Sequence, residues 1–479
     1  MDFKQEAQAM IRERGGEFAA LSHKIWAYAE LSLREYRSAA LYKELLAAEG
    51  FAVTENLGDI PTAFSGAFGS GRPIIGILGE FDALSGLSQA AGEPSPLPLE
   101  PGAPGHGCGH NMLGAAAFAA ACGVKRFLAR SGLPGTVIFS GCPGEEGGAA
   151  KAYLAREGVW KDLDAALSWH PGDTNEITTG TDNSCTQVLY KFKGVAAHAA
   201  GDPEHGRSAL DAVELMNIGV QFLREHMKSE ARIHYAIIDS GGVSPNVVQP
   251  TASVLYMVRS RDVPDTLALQ ERVDKIAEGA ALMTETSYER IFVDGTANTL
   301  PNFPLERLLY ANMQAVPLPE YSREEWAYAE ALRTTYPHEE LPGLGARKDP
   351  AIAETVRALS ADGGKALNDF LLPHYSGEDF TPGSTDVGDV SWLTPTAQFN
   401  ALCFTAGAPG HSWQNVSCGG SSIGDKGMLW AAQVLCGAAA DLFADGKHLE
   451  EAKAEFNTRT EKHGYVCPIP PDAVPYVIE

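Results

Sequence analysis

At 479 residues, with 44% hydrophobic and 20% charged residues, the chain is long enough for two cores and too ordinary in composition for a disordered or fibrous protein. A formal net charge of -24, with no dense Lys/Arg cluster to offset it, argues against nucleic acid and anionic membrane surfaces as partners. The eight cysteines include no CxxC pair, the N-terminus lacks a secretory apolar run, and no stretch approaches the ~18 apolar residues of a membrane span, so a cytoplasmic protein with free thiols is expected.

Helical periodicity covers residues 19–28 and 37–48, and the apolar run 73–79 predicts a buried strand ending in Glu80, Phe81 and Asp82. Two carboxylates therefore stand at a strand end. A Pro/Gly-rich loop over 92–109 delivers Gly105-His106-Gly107-Cys108-Gly109-His110 to an alanine-rich helix at 112–129, whose small residues permit close packing on a sheet. Residues 136–140 predict a second strand, broken by Gly141-Cys142-Pro143-Gly144-Glu145-Glu146-Gly147-Gly148 ahead of a helix at 153–159. A third strand, 165–169, is ended by His170-Pro171. Polar residues at successive strand ends fit an open α/β sheet, in which ligands sit beyond the carboxyl ends of the strands.

From Ser184 the pattern changes. Strands at 188–192, 234–238, 252–258 and 288–293 with helices at 208–227 and 267–282 predict a compact α+β insert, its helices on one face of an antiparallel sheet. Residues 305–359 read as mostly helical and polar, 398–406 as a strand, Gly410-His411-Ser412-Trp413-Gln414 as its terminal loop, and 426–445 as a long apolar helix. The expected division is an α/β domain made of 1–183 and 297–479, split around an insert at 184–296.

Four of these segments offer metal ligands: Cys108 with His110, Glu146, His170 and His411. Thiolate, imidazole and carboxylate together suit Zn, Mn, Co or Ni rather than Mg or Ca. Five ligands exceed one open tetrahedral site and fit two divalent ions sharing a bridging ligand. Glu145 adjoins a ligand without being needed as one, which suits a general base. Each residue alone has a plainer reading, as a satisfied histidine, a buried small thiol or a solvated glutamate, and only their convergence points to chemistry.

The segments GHGCGHNMLG, GCPGEEGG, SWHP, KGVAAHAA, GGVSPNVVQ, STDVGDVSW and PGHSWQ closely resemble the M20 family of metallopeptidases and aminoacylases, in its amidohydrolase branch with a cysteine ligand. The resemblance runs from IWAYAE to the C-terminal CPIP. It implies a zinc-peptidase-like α/β catalytic domain with an open mixed sheet flanked by helices, plus an inserted α+β lid or dimerisation domain. It further implies Cys108 as the bridging ligand, His110 and His170 on one metal, Glu146 and His411 on the other, and Glu145 as the base. His198 resembles a lid histidine that reaches the partner subunit's site and donates to the oxyanion. Asn246 resembles an asparagine near the substrate's carbonyl or carboxylate, with turn chemistry as the plainer alternative. Arg207 and Arg259 are candidates to clamp an α-carboxylate, against structural salt bridges. The wider family's His-x-Asp is here Glu80-Phe81-Asp82, so His110 takes the missing histidine's place and Asp82 would orient a ligand from behind it. Asp386 and Asp389 are expected to support the site, with helix capping as the alternative.

The resemblance implies metal-dependent hydrolysis of the amide bond in a small N-acyl amino acid, foremost aryl-acyl glutamates such as p-aminobenzoyl-glutamate, by a homodimer or a heterodimer with a paralogous subunit. Two other classes compete. Cys108 could be a covalent nucleophile with His106 or His110 as base. Alternatively, the chain could be a binding or regulatory subunit that works only beside a paralogue. A zinc deaminase is disfavoured, because no His-x-Glu is followed by Pro-Cys-x-x-Cys.

Overall fold

The predicted strands assemble into two sheets. In a computed structural model describing residues 2–337 and 341–478, the strands are β1 (Ala52–Glu55), β2 (Phe64–Ser70), β3 (Ile74–Glu80), β4 (Gly135–Cys142), β5 (Ala165–Leu167), β6 (His170–Gly172), β7 (Glu176–Thr178), β8 (Ser184–Lys193), β9 (Arg232–Asp239), β10 (Thr251–Ser260), β11 (Ser287–Thr296) and β12 (Thr396–Leu402). The chain divides into two units: Met1–Thr181, Leu300–Phe380 and Val390–Tyr465 form the first, and Asp182–Thr299, Thr381–Asp389 and Val466–Glu479 the second. Residues 381–389 and 466–479, expected with the returning part of the first domain, thus belong with the insert. The reason is visible in their bonds: the Asn183 amide donates to the Gly383 carbonyl, and Lys191 Nζ donates to the Tyr476 hydroxyl.

The first unit holds an eight-stranded mixed sheet in the order β1-β2-β4-β3-β5-β12-β6, with β7 on β12. β3 runs parallel to both β4 and β5, and β12 runs parallel to β5, so these four strands share one carboxyl-end edge. β1 and β2 were not expected. Their sequences, AVTE and FSGAFGS, are too short or too glycine-rich to carry a period-two pattern, and only pairing with β4 makes strands of them.

The helices His110–Ser131 and Ser422–Ala444 are almost wholly buried in the first unit's core. Both are long and apolar enough to cross a membrane, contrary to the expectation that no stretch approaches that length, but 83% of each apolar window is buried against protein. Close packing depends on small residues: a Cβ on Gly114 would lie 2.6 Å from the Glu80 carbonyl oxygen. Because that glycine has no side chain, the helix start carrying His110 lies directly against the end of β3. The polar stretch expected to be helical, 305–359, forms the helices Phe303–Ala315, Arg323–Arg333, Leu344–Lys348 and Pro350–Ser360, with 338–340 lying outside the described residues.

In the second unit, β11-β8-β10-β9 form an antiparallel sheet. Helices Ala209–Leu223 and Val263–Thr284 cover one face, packing Val213, Met216, Val220 and Val273 on Val188, Tyr190, Val254, Tyr256 and Val258. Each such side chain contributes roughly 1.5–3 kcal/mol through removal from water, which is what fixes the strand register.

Candidate metal centre

The parallel strands β3, β4, β5 and β12 bring their carboxyl ends together, and each is followed by a polar segment. Glu80 and Asp82 end β3, Glu145 and Glu146 lie in the turn after β4, His170 follows β5, and His411 lies in the loop after β12. Cys108 and His110 arrive from the neighbouring loop and helix start. Two ligand groups result: Cys108, His110 and His170 within 4.8 Å of one another, and Cys108, Glu146 and His411 likewise. Cys108 belongs to both, as a bridging ligand must. A third group of the same compactness joins Glu80, His110 and Glu145.

The imidazoles are held in the tautomers that ligation needs. His110 Nδ1 lies 2.8 Å from Asp82 Oδ1 and His170 Nδ1 lies 2.8 Å from the Pro171 carbonyl, so in each ring the Nδ1 proton is engaged and Nε2 is the nitrogen an ion would take, in place of the proton that Asp82 and Cys108 favour on His110 without metal. His110 Nε2 is buried and makes no hydrogen bond, and Glu146 Oε1 is equally buried and unsatisfied. Two orphaned acceptors of this kind, beside a sulfur 3.4 Å from His170 Nε2, are what a divalent cation would satisfy. The donor set therefore fits a metal centre.

Asp82 is the hub behind the ligands. It accepts from His110 through one oxygen and, through the other, from the Ser32 hydroxyl at 2.7 Å and the Glu146 amide at 2.9 Å. Burial pushes its carboxyl up, but these donors and the charge of His110 outweigh it and hold the pKa down at about 2. His170 is lowered, first by burial and then by its neighbour His110. Burial pushes the Cys108 thiol up, and an adjacent cation would be needed to reverse that. His106, offered above as a base for a nucleophilic Cys108, instead places Nε2 3.1 Å from the Ile25 carbonyl and is lowered to about 4 by burial and His110.

Two supporting residues, Lys151 and Glu35, escaped the sequence reading. Lys151, whose side chain is fully buried, binds Oε1 of the strand-end Glu80 at 2.8 Å, while Glu80 Oε2 lies 3.3 Å from His110 Nε2. Glu35 accepts from the amides of Leu33 and Gly144 and so fixes the turn that carries Glu145 and Glu146. A lysine within the apolar helix AKAYLAR was the only available signal for the first, and nothing pointed to the second.

Among the second unit's residues, His198 is exposed and its Nδ1 accepts from the amides of Ala200 and Gly201, which places its proton on Nε2. Asn246 is its neighbour: the Ala199 amide donates to the Asn246 carbonyl, and His198 pairs with Val247. Arg207 is not a free clamp, since its guanidinium is taken by Glu285 and by the carbonyls of Glu204 and Gly206. Arg259 donates through Nη1 to the Ser384 hydroxyl. Asp389, expected to support the site, is buried and accepts from the Ala297 amide within the second unit, which is a structural tie; Asp386 is buried in that same segment.

Known proteins resemble the chain along nearly its whole length. The family model for the M20 peptidase dimerisation domain matches residues 180–285. The chain is 44% identical over 471 residues to a p-aminobenzoyl-glutamate hydrolase subunit of Escherichia coli (strain K12), covering 96% of this chain and 95% of that protein. Among solved structures, the aminobenzoyl-glutamate utilization protein from Klebsiella pneumoniae superposes with a TM-score of 0.57 at 16% identity, covering 90% of this chain and 97% of that one. The Bacillus subtilis YXEP protein, described as a dinuclear metal-binding peptidase of the M20 family, gives 0.53 at 16% identity over 90% of this chain and 99% of that one. With that sequence identity along nearly its whole length, a matching dimerisation domain and the same fold, the chain belongs to the M20 family of metal-dependent peptidases and amidohydrolases.

Proposed function

We propose that this chain hydrolyses the amide bond of aryl-acyl glutamates, p-aminobenzoyl-glutamate first among them, with aspartate conjugates next. It is a metal-dependent amidohydrolase by family membership, and the name of the Escherichia coli relative supports the acyl glutamate. The observation that carries the reading is the convergence of Cys108, His110, Glu146, His170 and His411 on one strand edge, with Glu145 Oε2 3.9 Å from His110 Nε2.

Cys108 would be shared by two ions, with His110 and His170 on one and Glu146 and His411 on the other; Mn or Zn suits the donors best, and Co and Ni also fit. When bound, the ions supply a water of lowered pKa and polarise the scissile carbonyl. Glu145, the less buried of the paired glutamates by side chain, accepts the proton of the attacking water and returns it to the departing amine. Asp82 keeps the His110 proton on Nδ1 throughout. The partner subunit's His198, protonated on Nε2, donates to the oxyanion, while Arg259 and Asn246 serve the substrate's carboxylate.

The dimer this requires forms through the second unit. β9 is an edge strand with Tyr235, Ile237 and Ile238 exposed, and an edge of this kind presents unpaired backbone groups to another chain. The partner is a second copy or a paralogous subunit.

The test is to strip the purified chain with chelator, reconstitute it with Mn or Zn, and assay it alone on acyl-Glu, acyl-Asp and neutral acyl amino acids. Metal-dependent turnover strongest on acyl-Glu is expected. Full turnover in excess chelator, or a preference for neutral substrates, would overturn the proposal. Activity that appears only after a paralogous subunit is added identifies the heterodimer.

A further inference from the structure

His411 differs from the other proposed ligands in what holds it. His110 is fixed through Asp82 and His170 through the Pro171 carbonyl, and both sit among buried residues. The His411 side chain is 57% exposed and makes no side-chain hydrogen bond among the described residues, Glu146 Oε2 being 3.6 Å away. Its backbone has φ +52°, the left-handed region, which an L-residue adopts at a cost unless its surroundings impose it. Neither burial nor a bond to the ring orients this imidazole. Its aim is set by the loop that carries it.

That loop, between the end of β12 at Leu402 and the helix Trp413–Gly419, is gripped on both sides of His411 by one segment from elsewhere in the chain. Before His411, the Tyr336 hydroxyl bonds Thr405 Oγ1 at 2.8 Å and the Ala406 carbonyl at 3.0 Å. After it, Gln414 Nε2 donates to Thr335 Oγ1 at 3.1 Å, and the Tyr328 hydroxyl lies 2.7 Å from Ser417 Oγ. Tyr328, Thr335 and Tyr336 all belong to helix Arg323–Arg333 and the turn that follows it. The helix is itself anchored, because Glu325 closes a capping box with Ser322 and accepts from Ser422 Oγ and Lys426 Nζ, both at 2.6 Å, on the core helix Ser422–Ala444. Asn415 Nδ2 completes the grip from the ligand side, donating to the Gly107 carbonyl one residue before Cys108.

We propose that helix Arg323–Arg333 and its following turn are a brace that aims His411, with Tyr336, Thr335 and Tyr328 as positioning residues for the ion that Glu146 and His411 share. The inference rests on the ligand assignment made above and gives a task to part of the polar helical excursion between Leu300 and Phe380. The hydroxyls act through the loop backbone and touch neither ion nor substrate.

The test titrates Mn²⁺ alone into the metal-stripped full-length protein by calorimetry. The wild type shows two binding steps. Tyr336→Phe, which removes one oxygen and keeps the buried ring, is expected to weaken one step by about 10-fold and leave the other unchanged, as the loss of a partner behind a ligand does. Thr335→Val on the opposite foot of the loop should weaken the same step, and His411→Ala should abolish it. A merely structural role would lower the melting temperature without separating the two steps. Two unaltered steps in Tyr336→Phe and Thr335→Val, or equal weakening of both, would overturn the brace. Two intact steps in His411→Ala would strike the ligand assignment itself, and the brace with it.

Discussion

Lys151 Nζ lies 2.8 Å from Glu80 Oε1, and neither side chain exposes more than 2% of its surface. Burial pushes the Glu80 carboxyl up, but Lys151 and His110 outweigh it and keep the carboxyl below its usual range. This ion pair holds a charged oxygen 3.3 Å from the ring nitrogen that would bind metal.

Removing one member of a buried pair strands the other. Lys151→Met is therefore expected to destabilise the first unit by about 3–5 kcal/mol, read as a lowered urea midpoint. The double change Lys151→Met with Glu80→Gln should recover most of that loss, because no unpaired charge remains. A single variant as stable as the wild type would show that the pair contributes nothing.

Asp82→Asn replaces the acceptor of His110 with a group that presents either a weaker oxygen or an N–H. The imidazole then has no anion to keep its proton on Nδ1, and Nε2 loses its claim to the lone pair. Mn²⁺ affinity should fall about 10- to 100-fold, measured by calorimetry, with turnover falling in parallel at subsaturating metal. Unchanged affinity would mean the hydrogen bond at 2.8 Å does not set the tautomer.

Glu145→Gln removes the proposed base and keeps its volume. Turnover is expected to drop about 10²- to 10⁴-fold while two ions per chain remain bound, as read by elemental analysis. Near-normal turnover with both metals present would reassign the proton transfer.

Glu306 provides a pH signature remote from the metal ligands. Burial raises its carboxyl to about 7, only partly offset by the hydroxyls of Ser376 and Thr179. A carboxyl raised on folding contributes stability that is complete below its unfolded pKa and is lost as the pH climbs to the folded value. Glu306→Gln cannot ionise, so its stability relative to the wild type should improve by about 2 kcal/mol between pH 5.5 and pH 8. Parallel melting curves for the two proteins across that range would refute the shift.

The proposed ligand residues could be picked out in the chain because strand ends can. A run such as 73–79 must be buried, its end must emerge at a sheet edge, and a polar residue placed there has few tasks besides binding or catalysis. The same logic gave Glu146, His170 and His411 their places, and periodicity separated the insert, whose β8, β9, β10 and β11 all match expected apolar runs. Sequence could not say that Arg207 spends its guanidinium on Glu285, since 78 residues separate them and either role suits the same side chain. Nor could it pair Lys151 with Glu80, place 381–389 with the insert, or connect Tyr336 to the His411 loop. Local pattern reports which groups are hidden and which face a strand presents, because those follow from transfer out of water. Which buried charge meets which, and which hydroxyl steadies which loop, depends on short-range contacts between segments far apart in the chain, and these exist only once the core has closed.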